Sequence, residues 1–228
     1  LNNVYQNANI YANGSLITVV ATTGEIVMAD GTVTYAEGAL VLLPPVPVKE
    51  RQPAFDPLAS AVITYTAGTD AYISILQANL KIEITAATAG DVGGIYDNLT
   101  LDVAGVDNNI TSSTVIMSAD TGIGEYDDAI NTAADTLELL NAISGGIFIQ
   151  ETDSVEILSA VATLAVPSSN GRDGAIVIDS LEGLMTVTGA VSAHGHVRLH
   201  VTTGSLLANA NIQSVDKDIS ILVLHDIT

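Results

Sequence analysis

The densest group of potential metal ligands is His194-Gly-His196-Val-Arg-Leu-His200, near the C-terminus. Imidazole suits zinc or copper. Val197, Leu199 and Val201 alternate with His196, Arg198 and His200, which predicts a half-buried strand carrying the polar residues in an outward row. Arg198 separates the two imidazoles and no carboxylate is close in sequence, so the row reads as a solvated strand face. A second candidate is Asp120, Glu125, Asp127 and Asp128, set around Gly122 and Gly124. Calcium takes several carboxylate and carbonyl oxygens. The run is not an EF-hand loop, and it lacks the Gly-Gly-x-Gly-x-Asp repeat of calcium-binding β-rolls. Asp, Asn and Gly are also the ordinary residues of turns, and acidic corners are the simpler reading.

Other chemistries have less support. With no cysteine there is no thiol nucleophile and no disulfide framework. Neither Gly-x-Ser-x-Gly nor a P-loop occurs. A glycoside hydrolase needs two juxtaposed carboxylates, and a polysaccharide lyase pairs acids with a base. The only bases are Lys49, Arg51, Lys81, Arg172, Arg198 and Lys217, and two Phe, seven Tyr and no Trp offer few sugar platforms. Three Asn-x-Ser/Thr sequons (Asn13, Asn98, Asn109) are near chance in an Asn- and Thr-rich chain. No catalytic, cofactor-binding or metal residue is assigned.

A net charge of −20, from 26 acidic and 6 basic residues, argues against nucleic acid, which requires clustered Lys and Arg. An acidic, Lys-poor surface fits a secreted protein in salty or calcium-containing water. No run of about 18 uncharged apolar residues supports a spanning helix, so membrane insertion is not expected. No signal peptide is visible. The first residue is Leu1, which reads as a mature fragment or an excerpt of a longer protein.

The elements that would position these residues repeat. Ile176-Val-Ile178, Val197-Arg-Leu199-His-Val201 and Ile219-Ser-Ile221-Leu-Val223 return at steps of 21 and 22 residues. Leu184 to Leu206 and Val191 to Ile212 repeat in the same way. Removing an eight-residue excursion at 167–174 reduces the step from Ile147 to Ile176 to 21. At the N-terminus, Gly14-Ser-Leu16 returns as Gly38-Ala-Leu40. Ile73, Ile75, Leu80, Ile82 and Ile84 are expected inward, with Lys81 and Glu83 outward. Leu99, Leu101, Val103, Ile110, Val115 and Met117 follow. Short β-runs at this period predict a solenoid: a single right-handed parallel β-helix over 1–228, with about ten coils of ~21–22 residues.

Two stretches test that pattern. Residues 44–57 hold five of the six prolines, which cannot donate to a sheet ladder, so they leave the coil as an extended loop. Residues 126–143 place Ile130, Ala133, Ala134, Leu137 and Leu140 at helical spacing after an Asp-rich start. The period instead asks for a strand through Leu137 and Leu139, with Ala133 in the turn before it, and we expect the strand.

Thr121-Gly-Ile-Gly-Glu-Tyr-Asp-Asp-Ala-Ile-Asn-Thr-Ala, Ser144-Gly-Gly-Ile-Phe-Ile-Gln-Glu-Thr-Asp and the N-terminal Val-Ala-Thr-Thr-Gly-Glu-Ile-Val-Met-Ala-Asp-Gly-Thr block together resemble units of filamentous-haemagglutinin-like bacterial surface exoproteins. The resemblance covers most of the chain apart from 44–57 and the stretch 58–95. It implies a β-helical stalk, secreted and displayed at the cell surface, that supports adhesion or cell–cell contact. Its partners would be a host or neighbouring-cell surface protein or glycan, or adjacent coils stacked end to end. The family carries no catalytic motif or cofactor to transfer. The alternatives are a carbohydrate-active β-helix enzyme and a subunit of an extracellular filament.

Overall fold

The computed structural model describes residues 2–13, 16–37, 61–87, 92–100, 108–164, 173–224 and 226–227. The proline-rich stretch 44–57, residues 167–172, and Leu40, Leu101 and Val103 lie outside them. Every regular element among the described residues is a β-strand. All strand–strand ladders among them are parallel, so each strand pairs with chain that is distant in sequence.

The ladders form three columns. The first joins β1 (Val4–Gln6), β4 (Ile26–Met28), β7 (Ala71–Ile73) and β10 (Ile95–Asp97). Single bridges through Ile123 carry it on to β13 (Ile147–Glu151), then to the first halves of β15 (Ile176–Val187) and β17 (Val197–Ala208), and to β19 (Ile219–Val223). The second runs through β2 (Ile10–Asn13), β5 (Val33–Glu37), β8 (Ile75–Ala78) and the starts of β11 (Ile110–Ala119) and β12 (Ile130–Asn141). The third joins β3 (Leu16–Ala21), β6 (Val62–Ala67), β9 (Lys81–Ala86), the ends of β11 and β12, and β14 (Val155–Ala162). It then divides, one branch following the ends of β15 and β17 and the other β16 (Val191–Ala193) and β18 (Ile212–Ser214). Leu206 of β17 also meets β20 (Asp226–Ile227).

Register stacks like side chains. Val4, Ile26, Ala71, Ile95, Ile123, Ile147, Ile176 and Val197 form one inward line that Ile219 extends in register while itself exposed, and the seven from Ile26 to Val197 are wholly buried. Each buried Ile or Val contributes roughly 1.5–3 kcal/mol relative to exposure. β-branched residues suit these positions because their stiff χ1 packs well on a pleated, narrow interior. The steps Ile147–Ile176–Val197–Ile219 are those read from the sequence. Residues 130–141 form a strand with Leu137 and Leu139 buried. Ala133 lies inside that strand and not in a preceding turn, because the column changes within β12, where buried alternation breaks between Ala134 and Leu137.

Several expected positions differ. Leu16 pairs with Val62, so the recurrence of Gly-x-Leu at Leu40 does not set the register. Leu80 is exposed and Ile75 half-buried, whereas Ser74 and Leu76 are buried, since Asn79 and Leu80 form a bend ahead of β9. Leu184 faces solvent, and Met185 occupies the interior against Leu206. The cause is a glycine corner. Gly183 has φ +91°, stacks on Gly204, and resets the alternation by one residue. A Cβ on Gly204 would collide with the Gly183 carbonyl, so the corner requires glycine there.

This register separates two adjacent residues energetically. Met185→Ala should cost about 2–5 kcal/mol through the cavity it leaves, and Leu184→Ala under about 0.5 kcal/mol. Urea unfolding of the two variants checks both values, and equal losses would refute the placement.

Candidate functional site

The outward row on β17 is built as its alternation requires. Val197, Leu199 and Val201 are wholly buried, which leaves His196, Arg198 and His200 on the outer face. The histidines do not converge on one another. Parallel pairing places Asp179 of β15 beside His200, and Arg198 donates to its Oδ2 at 2.5 Å, while His200 Nδ1 stands 3.8 Å from Oδ1. His194 Nε2 lies 3.0 Å from Asp216 Oδ2. Burial raises the Asp179 carboxyl above its ordinary range, and Arg198 and His200 oppose that shift. The carboxylates missing from the local sequence therefore arrive from neighbouring rows. The 21-residue step applied to His200 lands on Asp179, so the repeat already held that signal.

A shallow cavity of about 240 Å³ lies alongside, lined by Tyr126, Phe148, Val177, His196, Arg198 and Asp218. Tyr126 packs edge-on against Phe148, with centroids 5.9 Å apart. The Arg198–Asp179 pair offers fixed polarity beside an apolar floor. Nothing in this arrangement aligns a nucleophile with a base.

The acidic run is a tight turn. Glu125 and Asp128 exchange backbone hydrogen bonds of 2.8 and 3.1 Å, and Gly124 at φ +66° allows the bend. The carbonyl of Asp120 accepts from the N–H groups of Ile143 and Ser144. Desolvation, then the nearby Glu125, raises the Asp128 carboxyl. No three His, Asp or Glu side chains among the described residues are placed to share a metal. Of the sequons, Asn109 is wholly buried and donates to Asp97 at 2.6 Å and to the Ser74 carbonyl at 3.3 Å, so it cannot accept a glycan as folded.

Sequence reasoning missed a polar spine inside the molecule. Thr132, Glu151 and Ser180 follow Ile110 along one inward line, and all three are wholly buried. Glu151 accepts from Thr132 Oγ1 at 2.6 Å and from the N–H groups of Ala134 at 3.1 Å and Thr152 at 3.0 Å. It thereby satisfies backbone donors where β12 changes column. Further along, Gln6, Thr34 and Tyr65 close a buried ring of hydrogen bonds of 2.6–3.1 Å. Burial lifts the Tyr65 hydroxyl to about 12. Composition hid these groups, because a single Glu or Tyr in an alternating strand carries no mark of which face it takes.

No family model, curated protein or solved structure matches the chain.

Burial lifts the Glu151 carboxyl to about 8, against hydrogen bonds from Thr132, Ala134 and Thr152 that lower it. The folded state keeps this proton while the unfolded state loses it near the ordinary carboxyl value of 4.5. Stability should therefore fall by a few kcal/mol as pH rises from about 4.5 to about 8, then level off. Glu151→Gln should flatten that slope in denaturant midpoints measured across the window, and an unchanged slope would refute the assignment.

Proposed function

We propose that the chain is a right-handed parallel β-helix and serves as a rigid structural segment of a secreted or cell-surface bacterial exoprotein of the filamentous-haemagglutinin-like kind. The observation that carries this reading is the in-register line from Val4 to Ile219. Nine described rows stacked at about 4.8 Å per step make a body roughly 38 Å long. The expectation is about ten coils over the whole chain, and the right-handed sense proposed is the one the general rule for parallel crossovers favours. Such a body resists bending because each row is hydrogen-bonded to both neighbours, and it can hold contacts away from a cell surface. A host or neighbouring-cell protein or glycan is the partner class this role calls for. The cavity beside the Arg198–Asp179 ion pair is what speaks for the second reading, a carbohydrate-active enzyme, because it sets fixed charge next to an apolar floor.

Small-angle scattering on the purified chain should give an elongated particle with a β-dominated circular dichroism spectrum. Beads coated with it should attach to bacterial or host cells more than beads coated with an unrelated acidic protein. A compact or helical particle, or release of reducing ends from polysaccharides, would overturn the scaffold reading.

A further inference from the structure

The chain has nine Tyr and Phe residues, and five of them gather on one outer face. On the first column, Tyr5, Val27, Tyr72 and Tyr96 are successive outward neighbours, because the inward positions are taken by Val4, Ile26, Ala71 and Ile95. Two rows on, Phe148 takes the same position but is only 5 % exposed, with Tyr126 leaning edge-on against it and presenting the accessible ring there. Tyr72 and Tyr96 overlap at 5.4 Å between centroids with a 32° tilt. The Tyr96 ring lies over Gly94, where any Cβ would run into it, so one side of the ring rests on backbone. Tyr5 and Tyr126 are at least half exposed.

Cross-strand stacking accounts for the contact between Tyr72 and Tyr96. It does not account for the charges beside them. Glu25 accepts hydrogen bonds from Asn3 and Tyr5, Asp70 accepts from the Gly94 N–H, and Glu125 stands at the turn below. Burial, then the charge of Asp70, with Glu25 and Glu125 adding to it, pushes the Tyr72 hydroxyl up, so all three carboxylates act on one ring. No described Lys, Arg or His forms an ion pair with any of the three, whereas Lys81 is paired to Glu83 and Arg198 to Asp179. Ring faces and carboxylates attract the same ligand, a cation with an apolar stem. Lys and Arg side chains fit that description, since their methylenes cover aromatic surface while the charged head reaches the acids.

We propose that this tyrosine ladder is the docking strip for an extended Lys/Arg-rich segment of a partner protein. The proposal rests on the scaffold reading and names what the scaffold holds. From Tyr5 to Phe148 is five steps, about 24 Å, which an extended peptide covers in roughly seven residues. Alternate basic side chains would then face the strip, with the charge of −20 on the whole chain steering the encounter.

The test is fluorescence anisotropy with a labelled nine-residue peptide carrying Lys or Arg at every second position, at physiological salt. Binding should weaken about tenfold in Tyr72→Leu/Tyr96→Leu, and comparably in Glu25→Gln/Asp70→Asn. Tyr11→Leu/Tyr35→Leu, which removes the aromatic pair on the second column, should change it less than about twofold. Circular dichroism melting confirms that each variant is folded. Tyr5→Ser, at a position 60 % exposed, replaces the double variant if that one fails to fold. Absence of peptide binding, equal loss from both tyrosine pairs, or displacement of the peptide by a neutral oligosaccharide would overturn the proposal. The scattering result stands apart from all three, so failure of the strip is distinguishable from failure of the scaffold.

Discussion

Everything in this molecule depends on parallel strands holding register from row to row. Side chains point to opposite faces with period two, so a slip of one residue would turn a whole row inside out. The inward line from Ile26 to Val197 makes such a slip expensive, because seven successive positions are wholly buried. In the β-helix proposed above, rows touch only their neighbours, and stability accumulates row by row. The wall carrying the tyrosines and the wall carrying Arg198 are outer faces of that same line.

How far this was legible depended on whether a feature is local. The C-terminal strands announce their pairing because Ile176, Val197 and Ile219 sit at near-constant spacing with corners between them. Leu184 misled, since a leucine at the right spacing looks inward until the positive φ of Gly183 shifts the phase. Leu40 misled for a different reason. A matching tripeptide suggests a repeat, but Leu16 finds its partner at Val62. The helical spacing in 126–143 yielded to the strand because neighbouring β11 and β14 offer ladders on both sides of β12.

The site was less legible than the fold. The outward histidine row was readable from alternation, but Asp179 and Asp216 enter it only through pairing across rows. Glu151 was invisible for the converse reason: an acidic residue in an alternating strand is expected to face water. Here it is retained inside because its carboxyl accepts from Thr132 Oγ1 and the Ala134 N–H and shares the Thr152 N–H with the Thr132 carbonyl. The ring of Gln6, Thr34 and Tyr65 fills the interior on similar terms, with each polar group meeting another. Such groups work as registration marks, since a shifted row would leave them unpaired.

The pairing of Leu16 with Val62 has a consequence for how this chain can change. The strands β5 and β6 belong to one row, yet more than twenty residues separate Glu37 from Val62, and the ladder beyond them keeps step. The entropic cost of joining two strands grows only logarithmically with the length of chain between them. The junction between β5 and β6 is therefore a natural graft point. Sequence can be inserted, exchanged or lost there over generations without rewriting the framework, so a lineage can vary the chain while inheriting the same body.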